Sequence, residues 1–466
     1  MENIYPEIKL GKYQEVEIDI SISAFEVFKR FYPNFGNVFL LESLGEEGKY
    51  NRYSYIGFDP MFVISANNGE IFISGRSLKV SNAFESLIKF SRGMLDKTSK
   101  VKGYCGGLVG YVSYEGTKYF EPAFVGHNLY DFPCFEFGFY QDGLIFNKRG
   151  KKCIYFHHGQ SRIEKVRKTL NYSGRLAVFK YKKLEDDGKE KIHKNLVREA
   201  KEKIAKGDVF QVVLSLKSIY QFAGDNRRLY AVLRQINPSP YMIYMKFQER
   251  EIISASPELL IRVKGGRIEH LGTLAGTIKR GKDSGEDKIL AQKLQSDGKE
   301  MAEHMMLVDL ARNDIGKICQ FGSVRVEKQA TVKPYSFVQH LYTEVSGKLK
   351  KGENAFSSLL SCFPAGTLTG APKVEAMKII SQLEGCARGP YGGVGGYFSI
   401  NGESMFAILI RSLFVKGESA YTQTGSGIVM DSIPEKEYQE VINKQKAMEK
   451  ALRLSANGRI AQGKPI

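Results

Sequence analysis

The first 180 residues consist of short apolar runs that are separated by glycine, proline, asparagine and aspartate. Typical runs are VFLLES (38–43), GLVGYVSY (107–114) and GLIFN (143–147), each about as long as one strand. Farther along, strand-like runs such as YMIYMKF and EIISAS are mixed with helical segments such as APKVEAMKIISQLE. Because strands and helices do not alternate strictly, the chain is predicted to be an α+β protein with extensive antiparallel sheet.

A charged stretch, YKKLEDDGKEKIHK (181–194), is mixed in sign and is interpreted as a solvated linker. It predicts a β-rich N-terminal region, residues 1–180, and a second region, residues 190–455. A length of 466 residues suits either two such units or one large unit with subdomains.

Charge and composition narrow the class of protein. The chain carries 68 basic and 51 acidic residues, a net charge of +17. This balance suits nucleic acid, an acidic membrane, a small anionic substrate or simply a lysine-rich surface. The basic residues are scattered, so a nucleic-acid-binding protein is only a distant alternative. Without a signal-like N-terminus or an apolar run of about 18 residues, the protein is expected in the cytoplasm, with its cysteines as free buried thiols.

Two helical segments each carry a pair of glutamates one turn apart. KEMAEHMMLVDLARND contains Glu300 and Glu303, and DSIPEKEYQEVINKQKAMEK contains Glu437 and Glu440. Residues at i and i+3 share one helical face, so two helices could present four carboxylates to one divalent cation. Mg²⁺ prefers such oxygen ligands and usually keeps some of its water. The plainer interpretation is glutamates on a helix surface.

Other segments suit a bound anion. FPAGTLTGAPK runs into a helix and offers Thr367 and Lys373 as donors. Arg411 is predicted inside the apolar strand AILIRS, where it would bind a carboxylate in a bidentate fork or form a structural ion pair. His340 and Glu258 are the candidate acid–base groups, although a histidine in a strand is often structural. Together these residues predict a site for a metal ion and a small molecule with several negative charges.

In this order, the segments resemble the chorismate-utilising enzymes, and within them the large subunits of anthranilate synthases. The similar segments extend from about residue 40 to about residue 450 and include LLES, GGLVGYVSYE, DVFQVVLS, NPSPYM, SPELL, AGTIKRG, RGPYGGVGGYF and GSGIVMDSIPEKEYQE. The resemblance implies two packed, largely antiparallel β-sheets flanked by helices. It also implies a lyase that uses Mg²⁺ and ammonia to convert chorismate to anthranilate and pyruvate, the first committed step of tryptophan synthesis. Aminodeoxychorismate synthase is the alternative activity.

The resemblance assigns roles to individual residues of the second region. The metal ligands would be Glu303, Glu440, Glu300 and Glu437. The catalytic groups would be Glu258, His340 and Thr367. Substrate contacts would come from Tyr391, Arg411, Gly425, Gly427, Thr277, Gln211, Ala275 and Lys373. Isochorismate-forming relatives have a lysine at the position of Gln211, and aminodeoxychorismate synthases commonly have one at that of Ala275.

The N-terminal region would contribute regulatory and partner-contact elements. Tryptophan is expected as a feedback inhibitor, in a site formed by Glu42, Ser43, Arg52, Tyr241, Met242 and Tyr397. The plainer interpretation of these residues is a strand end and a turn in the core. No glutaminase segment is recognised in the sequence. Ammonia from glutamine would therefore come from a separate amidotransferase subunit, and the assembly would be a hetero-oligomer.

Overall fold

The computed structural model describes residues 5–44, 52–95, 101–148, 152–184, 188–334 and 338–457, without the side chains of residue 92 and residues 271–275. Its strands are β1 (Tyr13–Ile18), β2 (Asn37–Glu42), β3 (Tyr53–Phe58), β4 (Phe62–Asn67), β5 (Glu70–Ile73), β6 (Arg76–Lys79), β7 (Gly107–Val112), β8 (Phe135–Tyr140), β9 (Asp142–Asn147), β10 (Lys152–His158), β11 (Phe179–Lys183), β12 (Gln211–Gly224), β13 (Tyr241–Phe247), β14 (Arg250–Ser256), β15 (Leu259–Lys264), β16 (Arg267–Lys279), β17 (Arg325–Pro334), β18 (Val338–Lys348), β19 (Gly370–Ala371), β20 (Val394–Ser399), β21 (Ser404–Ile408), β22 (Ser412–Lys416) and β23 (Ser419–Ile428). Its helices are α1 (Ala24–Phe31), α2 (Ala83–Ser91), α3 (Ile163–Leu170), α4 (Lys189–Ala205), α5 (Arg227–Ile236), α6 (Ser284–Ser296), α7 (Gly298–Gly316), α8 (Ala355–Cys362), α9 (Lys373–Glu384) and α10 (Pro434–Ala456).

These strands form two large sheets. The first sheet has the order β1-β10-β9-β3-β2-β13-β14-β22-β23-β12-β11, with β19 paired to β12. The second sheet has the order β17-β18-β16-β15-β21-β20-β7-β8-β4-β5-β6. Neighbouring strands are antiparallel in both sheets. The predicted α+β class with two largely antiparallel sheets is confirmed.

The two sheets pack against each other through an apolar core. Phe39 and Ile243 of the first sheet and Phe137 and Phe398 of the second belong to one buried cluster. A separate cluster covers the other face of the first sheet, where α1, α5 and α10 pack. Since alternate side chains of a strand point to opposite faces, the first sheet is apolar on both sides. The helices flanking it are therefore required to bury its outer face.

Both sheets combine strands that are distant in the sequence. β2 pairs with β13 in the first sheet, and β7 pairs with β20 in the second. Strands from both sides of the predicted division near residue 185 therefore share each sheet. The division of the chain into two regions stays a prediction. The stretch interpreted as a linker instead contains the end of β11 and the beginning of α4. β11 is an edge strand, and exposed edges are commonly rich in lysine, which explains the linker-like composition.

Two expectations concern the environment of the chain. Within the part of the chain that is described, no helix is long and apolar enough to cross a membrane. All six cysteines are free thiols, and five of them are buried. Cys386 is exposed, which corrects the expectation that every thiol would be buried.

Candidate active site

The start of α7 positions the first pair of glutamates. Asp297 accepts the backbone N–H groups of Lys299 and Glu300 at 3.0 and 3.1 Å and so forms the N-cap of this helix. Glu300 Oε2 then accepts the backbone N–H of Thr277 in β16 at 3.1 Å. Glu303 lies one turn further along α7. The cap and the strand contact together fix where both carboxylates lie.

Gln211, the first residue of β12, holds the carboxylate of Glu303. Its Nε2 donates to Glu303 Oε1 at 2.7 Å. Its Oε1 is buried and has no hydrogen-bond partner among the described residues. On the neighbouring strand β23, a Cβ at Gly427 would stand 2.5 Å from Gln211 Nε2 and 3.7 Å from Glu303 Oε1. A side chain at position 427 would therefore fill the space in front of the carboxylate.

The second pair of glutamates lies in the first two turns of α10, which packs along β23. Glu440 Oε1 pairs with Lys444 Nζ at 2.7 Å. The same ammonium donates to the carbonyl of Gly425 at 3.0 Å. Glu437 Oε2 is buried and finds no hydrogen-bond partner in the described structure. Both glutamates thus border the strand that faces Glu303.

These carboxylates interact electrostatically. Burial raises the pKa of Glu303, and the charges of Glu300 and Glu440 raise it further. Burial also raises the pKa of Glu300 and of Glu437, and the charge of Glu440 adds to both effects. The four side chains therefore lie close enough to repel one another. Lys444 alone offers an ion pair to this cluster within the described residues.

These carboxylate oxygens suit a hard divalent cation that takes only a few of its ligands from the protein. Among the described residues, no three acidic, histidine or cysteine side chains are arranged to bind one metal ion by themselves. Mg²⁺ is commonly held by one or two carboxylates, with water and substrate oxygens completing its shell. The unpartnered oxygen of Glu437 and the mutual repulsion of the cluster suit such an ion.

Glu258 lies in the turn between β14 and β15 and is only 4% exposed. Thr367 Oγ1, in a 3₁₀ turn, donates to Glu258 Oε1 at 2.7 Å. Burial raises the pKa of Glu258 to about 8, although the Thr367 hydrogen bond and the charges of Arg411 and Lys444 oppose it. The carboxyl group is therefore protonated at neutral pH and able to donate a proton.

His340 lies in β18, opposite Thr277 of β16. Its Nδ1 is 3.0 Å from Thr277 Oγ1 and 3.3 Å from the carbonyl oxygen of Gly276. Because a carbonyl can only accept, the second contact assigns the proton to Nδ1 and makes Nε2 the basic nitrogen. Burial lowers the pKa of His340 to about 3, and the charges of Arg411 and Lys444 contribute. The ring is therefore neutral.

Arg411 is not inside a strand, contrary to the sequence prediction. β21 ends at Ile408 and β22 begins at Ser412, so Arg411 lies between them, with φ of 50°. Left-handed backbone is strained at a non-glycine residue and is found preferentially at functional sites. An apolar run does not reveal such a bend. The charge of Arg411 lowers the pKa of Glu258 and of His340, so the guanidinium acts on both.

Tyr391 is buried beside Gly425 of β23. Its hydroxyl would stand 3.1 Å from a Cβ at position 425. The guanidinium carbon of Arg388 lies 5.7 Å from the centroid of the Tyr391 ring. Arg388 is itself fixed by an ion pair with Glu384 at 2.6 Å. The position of Tyr391 is thus supported by a buried ion pair behind it.

For two of the predicted substrate-binding residues, no contact in the described structure places the side chain beside the carboxylate cluster. Lys373 forms an ion pair with Asp314 and also donates to the carbonyl of Cys362 at 3.0 Å. Its ammonium is therefore already bound within the protein. Ala275 lies in β16, and its side chain falls outside the described part of the chain. Both assignments remain predictions.

The residues predicted to bind tryptophan gather around β2 and β13. Glu42 and Met242 are register partners in these strands. Glu42 is buried and accepts hydrogen bonds from Arg234 Nε at 2.9 Å and from Tyr230 Oη at 3.1 Å. An arginine thus contacts the carboxylate that was predicted to meet the inhibitor's ammonium. Ser43 follows β2, Arg52 precedes β3 and Tyr241 begins β13. Tyr397 belongs to the second sheet, and its ring centroid is 6.1 Å from that of Tyr55 in β3.

Sequence reasoning missed Lys444. This residue contacts Glu440 and Gly425, and its charge lowers the pKa of Glu258 and of His340. It therefore connects the carboxylate cluster electrostatically with the acid–base pair. Its spacing of four residues from Glu440 along a helix was the available signal.

Comparison with known proteins agrees with this arrangement. The family model described as chorismate binding enzyme matches residues 36–450, most of the chain. The chain therefore belongs to the chorismate-binding enzyme family.

Individual relatives are similar over nearly their whole length. Anthranilate synthase component 1 of Methanothermobacter marburgensis is 42% identical over 457 residues, covering 97% of this chain and 97% of its own. Anthranilate synthase component 1 of Leptospira biflexa is 42% identical over 463 residues, covering 97% and 99%. The crystal structure of anthranilate synthase component I from Streptococcus pneumoniae has a TM-score of 0.75 and 33% identity, covering 87% of this chain and 94% of that one.

Proposed function

We propose that the chain is the chorismate-aminating component of an anthranilate synthase. It would convert chorismate and ammonia to anthranilate, pyruvate and water, acting as a lyase. The observation that carries the proposal is the position of Lys444, which pairs with Glu440 of the carboxylate cluster and also acts electrostatically on the buried acid Glu258, as Arg411 does. The names of full-length relatives support the same assignment.

The substrate is a ring compound with two carboxylates, and the site offers distinct partners for each. Arg411 and the hydroxyl of Tyr391 would bind the enolpyruvyl carboxylate, because a guanidinium forms bidentate contacts with such a group. Gly425 and Gly427 would present the bare backbone of β23 to the ring. A Cβ at either position would meet protein atoms within about 3 Å, which requires glycine there. Thr277 would contribute a hydroxyl from β16.

The ring carboxylate would lie against the carboxylate cluster. Glu303 and Glu440 would be the main ligands of Mg²⁺, with Glu300 and Glu437 beside them. When bound, Mg²⁺ would offset the negative charges of the protein and of the substrate carboxylate. Gln211 would keep Glu303 oriented through its 2.7 Å hydrogen bond.

Glu258 would act as the general acid. As ammonia attacks C2 of the ring, the C4–O bond breaks, and Glu258 would protonate the departing hydroxyl so that it leaves as water. Its raised pKa keeps the required proton in place at neutral pH. Thr367 would orient the carboxyl group. Ammonia is already a nucleophile, so the amide of Gln211 suffices where a water-activating relative needs a basic side chain.

His340 would assist the second step. The proton on the aminated carbon is removed, the bond to the enolpyruvyl oxygen breaks, and the released group takes up a proton to become pyruvate. Burial lowers the pKa of His340 in the ligand-free protein, and the charges of Arg411 and Lys444 lower it further. A bound dianion would offset both charges and so make Nε2 more basic.

Ammonia would be supplied by a separate glutamine amidotransferase subunit in a hetero-oligomer. The word component in the names of the relatives supports this assembly. The chain alone would use free ammonia but not glutamine. The protein is proposed to work in the cytoplasm.

Feedback inhibition by tryptophan is proposed at the site around Glu42. The inhibitor's ammonium would have to replace Arg234 at that carboxylate. Isothermal titration calorimetry with tryptophan tests this point directly. Absence of heat at millimolar tryptophan would remove the assignment without affecting the catalytic proposal.

The catalytic proposal is tested by mixing the chain with chorismate, Mg²⁺ and ammonia at alkaline pH and following anthranilate fluorescence. Chromatography of the product distinguishes anthranilate from a para-substituted aminobenzoate precursor, which would instead indicate aminodeoxychorismate synthase. Omission of Mg²⁺ and the Glu258→Gln variant serve as controls. Failure to form any aminated product with folded protein would refute the proposal.

A further inference from the structure

A small cavity lies beside Thr367, between α7 and the second sheet. Its polar walls are His270 of β16, Asp314 of α7 and Thr367 itself, and its apolar walls include Leu307 and Leu310 of α7. The centre of a water molecule has about 10 Å³ in which to move there. A space of that size holds about one water molecule, provided that polar partners surround it. The polar walls make this cavity a site for a single bound water.

His270 lines the cavity with an imidazole ring whose Nδ1 lacks a partner. The residue is 7% exposed, and its Nδ1 has no hydrogen-bond partner among the described residues. Burial lowers the pKa of His270 to about 4, although the charge of Asp314 opposes this effect. The ring is therefore neutral, with one protonated nitrogen and one that accepts a hydrogen bond. Because a buried polar atom without a partner is destabilising, Nδ1 favours a water in the cavity.

Thr367 connects the cavity with the buried acid of the candidate active site. Its Oγ1 donates to Glu258 Oε1 at 2.7 Å. A hydroxyl that donates one hydrogen bond still has lone pairs with which to accept another. Since Glu258 is buried, a proton that returns to its carboxyl group has to pass through neighbouring atoms. A water between His270 and Thr367 would provide that connection.

Asp314 brings the cavity close to solvent. Its side chain is 5% exposed and forms ion pairs with Lys373 and, at 3.3 Å, with Lys317. The side chain of Lys317 is 66% exposed and so reaches the surface. Leu310, in the same wall, is only partly buried. Solvent, the source of protons, is therefore near this wall of the cavity.

We propose that His270 is a positioning residue that holds one water molecule against Thr367, and that this water restores the proton of Glu258 in each turnover. The inference rests on the proposed function, in which Glu258 gives its proton to the departing hydroxyl. His270 Nδ1 would accept one O–H of the water. The second O–H would then be directed toward Thr367 Oγ1.

The proton transfers balance over one turnover. After the C4–O bond breaks, Glu258 is a carboxylate and takes the proton of the Thr367 hydroxyl. The Thr367 oxygen takes a proton from the cavity water, and that water takes one from solvent. The ammonium group newly formed at C2 releases one proton to solvent, so no proton is consumed overall. His270 stays neutral and only orients the water.

The experiment separates the first turnover from those that follow. Glu258 starts protonated, so the first turnover does not need the cavity water, whereas later turnovers do. Rapid mixing with chorismate, Mg²⁺ and ammonia gives the ratio of the first-turnover rate to the steady-state rate. In His270→Phe this ratio is expected to rise about 10-fold over the wild type. A positioned proton-transfer group contributes about 10²-fold to 10⁴-fold, and water from solvent would replace part of that contribution.

Three further variants sharpen the test. His270→Asn places an amide near the position of Nδ1 and is expected to keep the ratio within about twofold of the wild type. His270→Gln places its amide near the position of Nε2 and should behave like His270→Phe. His193→Phe is the matched control, with an unchanged ratio expected. His193 of α4 is also a buried histidine, and neither of its ring nitrogens has a hydrogen-bond partner among the described residues.

The outcomes separate this inference from the proposed function. If the folded wild-type chain forms no aminated product, the proposed function is wrong. If it forms anthranilate but His270→Phe and His270→Gln keep the wild-type ratio, the positioning role is wrong and the function stands. An equal fall in the first and later turnovers would show that His270 only supports the fold, which also refutes the inference. Should His270→Phe not fold, the contrast between His270→Asn and His270→Gln decides by the same ratio.

Discussion

Acidic side chains in this protein fall into two sets that differ in how their charge is balanced. In the first set, buried Glu384 receives Arg388 Nε and Nη2 at 2.8 and 2.6 Å, and buried Glu136 receives Arg250 Nε and Nη2 at 2.9 and 2.5 Å. In the second set, the carboxyl group of buried Glu258 accepts, among the described residues, only the hydroxyl of Thr367. Planar guanidinium groups match carboxylates closely, so the first set is neutralised within the fold and the second is not.

The difference separates supporting groups from reactive ones. Arg388 also donates to the carbonyls of Leu368 and Val213, so its pair with Glu384 ties loops and strands together. Unbalanced carboxylates are tolerated only where a proton, a metal ion or a substrate completes them. The second set is therefore where the chemistry is expected. Exchange of a carboxylate for an amide should lower stability in the first set, as at Glu384, and activity in the second set, as at Glu258.

The largest effect is expected for Glu258→Gln. The amide fills the same space but has no acidic proton, so ammonia-dependent formation of anthranilate should fall about 10²-fold to 10⁴-fold. Initial rates with saturating chorismate measure this loss, and circular dichroism checks that the fold is retained. A decrease of less than tenfold would show that another group protonates the departing hydroxyl.

Glu384→Gln should have the opposite signature. Arg388 would be left as a buried charge without its carboxylate, and breaking a buried ion pair in this way costs about 3–5 kcal/mol. Denaturant unfolding measures the change, with Glu164→Gln on the exposed side of α3 as a control. Unfolding free energy within about 1 kcal/mol of the wild type would mean that the ion pair is not a support of the fold.

Local pattern was sufficient to predict several of the strands and to place both glutamate pairs on helices. The pairs at 300/303 and 437/440 follow from helical spacing alone, and β13 and β14 follow from their apolar runs. The geometry between elements could not be read in this way. The pairing of β12 with β23, which brings Gly427 in front of Glu303, joins segments about two hundred residues apart.

The backbone at Arg411 was also beyond a pattern-based prediction. AILIRS has the composition of a strand, but Arg411 adopts a left-handed backbone conformation in the connection between β21 and β22. Lys444 and Arg388 were overlooked for a related reason. Their significance depends on what they contact across the fold, and their sequence surroundings are ordinary for helix and loop.

Gln211→Leu should weaken metal binding while preserving the fold. The amide orients Glu303, and loss of a group that orients a metal ligand typically costs about 10-fold to 100-fold in affinity. The Mg²⁺ concentration needed for half-maximal rate is the measurement, supported by calorimetric titration with Mg²⁺ alone. Gln423→Leu is the matched control, because Gln423 is another buried amide of the first sheet and donates to Ser215 instead. If both variants needed the same Mg²⁺ concentration for half-maximal rate, the assignment of Glu303 as a metal ligand would be wrong.

A smaller effect is expected from pH. Glu258 must be protonated to act as an acid, and its pKa is raised to about 8 by burial. With free ammonia held constant, kcat/KM for chorismate should be level below this value and fall about tenfold per pH unit above it. Activity that is level through pH 9 would show that Glu258 is not the acid.

The smallest effect concerns stability without metal. Burial and neighbouring carboxylates raise the pKa of Glu303 in the folded state. Its charge therefore opposes folding increasingly as pH rises through that pKa. Glu303→Gln should accordingly raise the unfolding free energy of the metal-free protein by about 1 kcal/mol at alkaline pH, and by less in acid. Thermal unfolding at both pH values, with and without Mg²⁺, tests this expectation.

Mg²⁺ should stabilise the wild type more than the variant, because only the wild type retains the full charge that the ion would offset. An equal shift in both proteins would place Mg²⁺ away from Glu303.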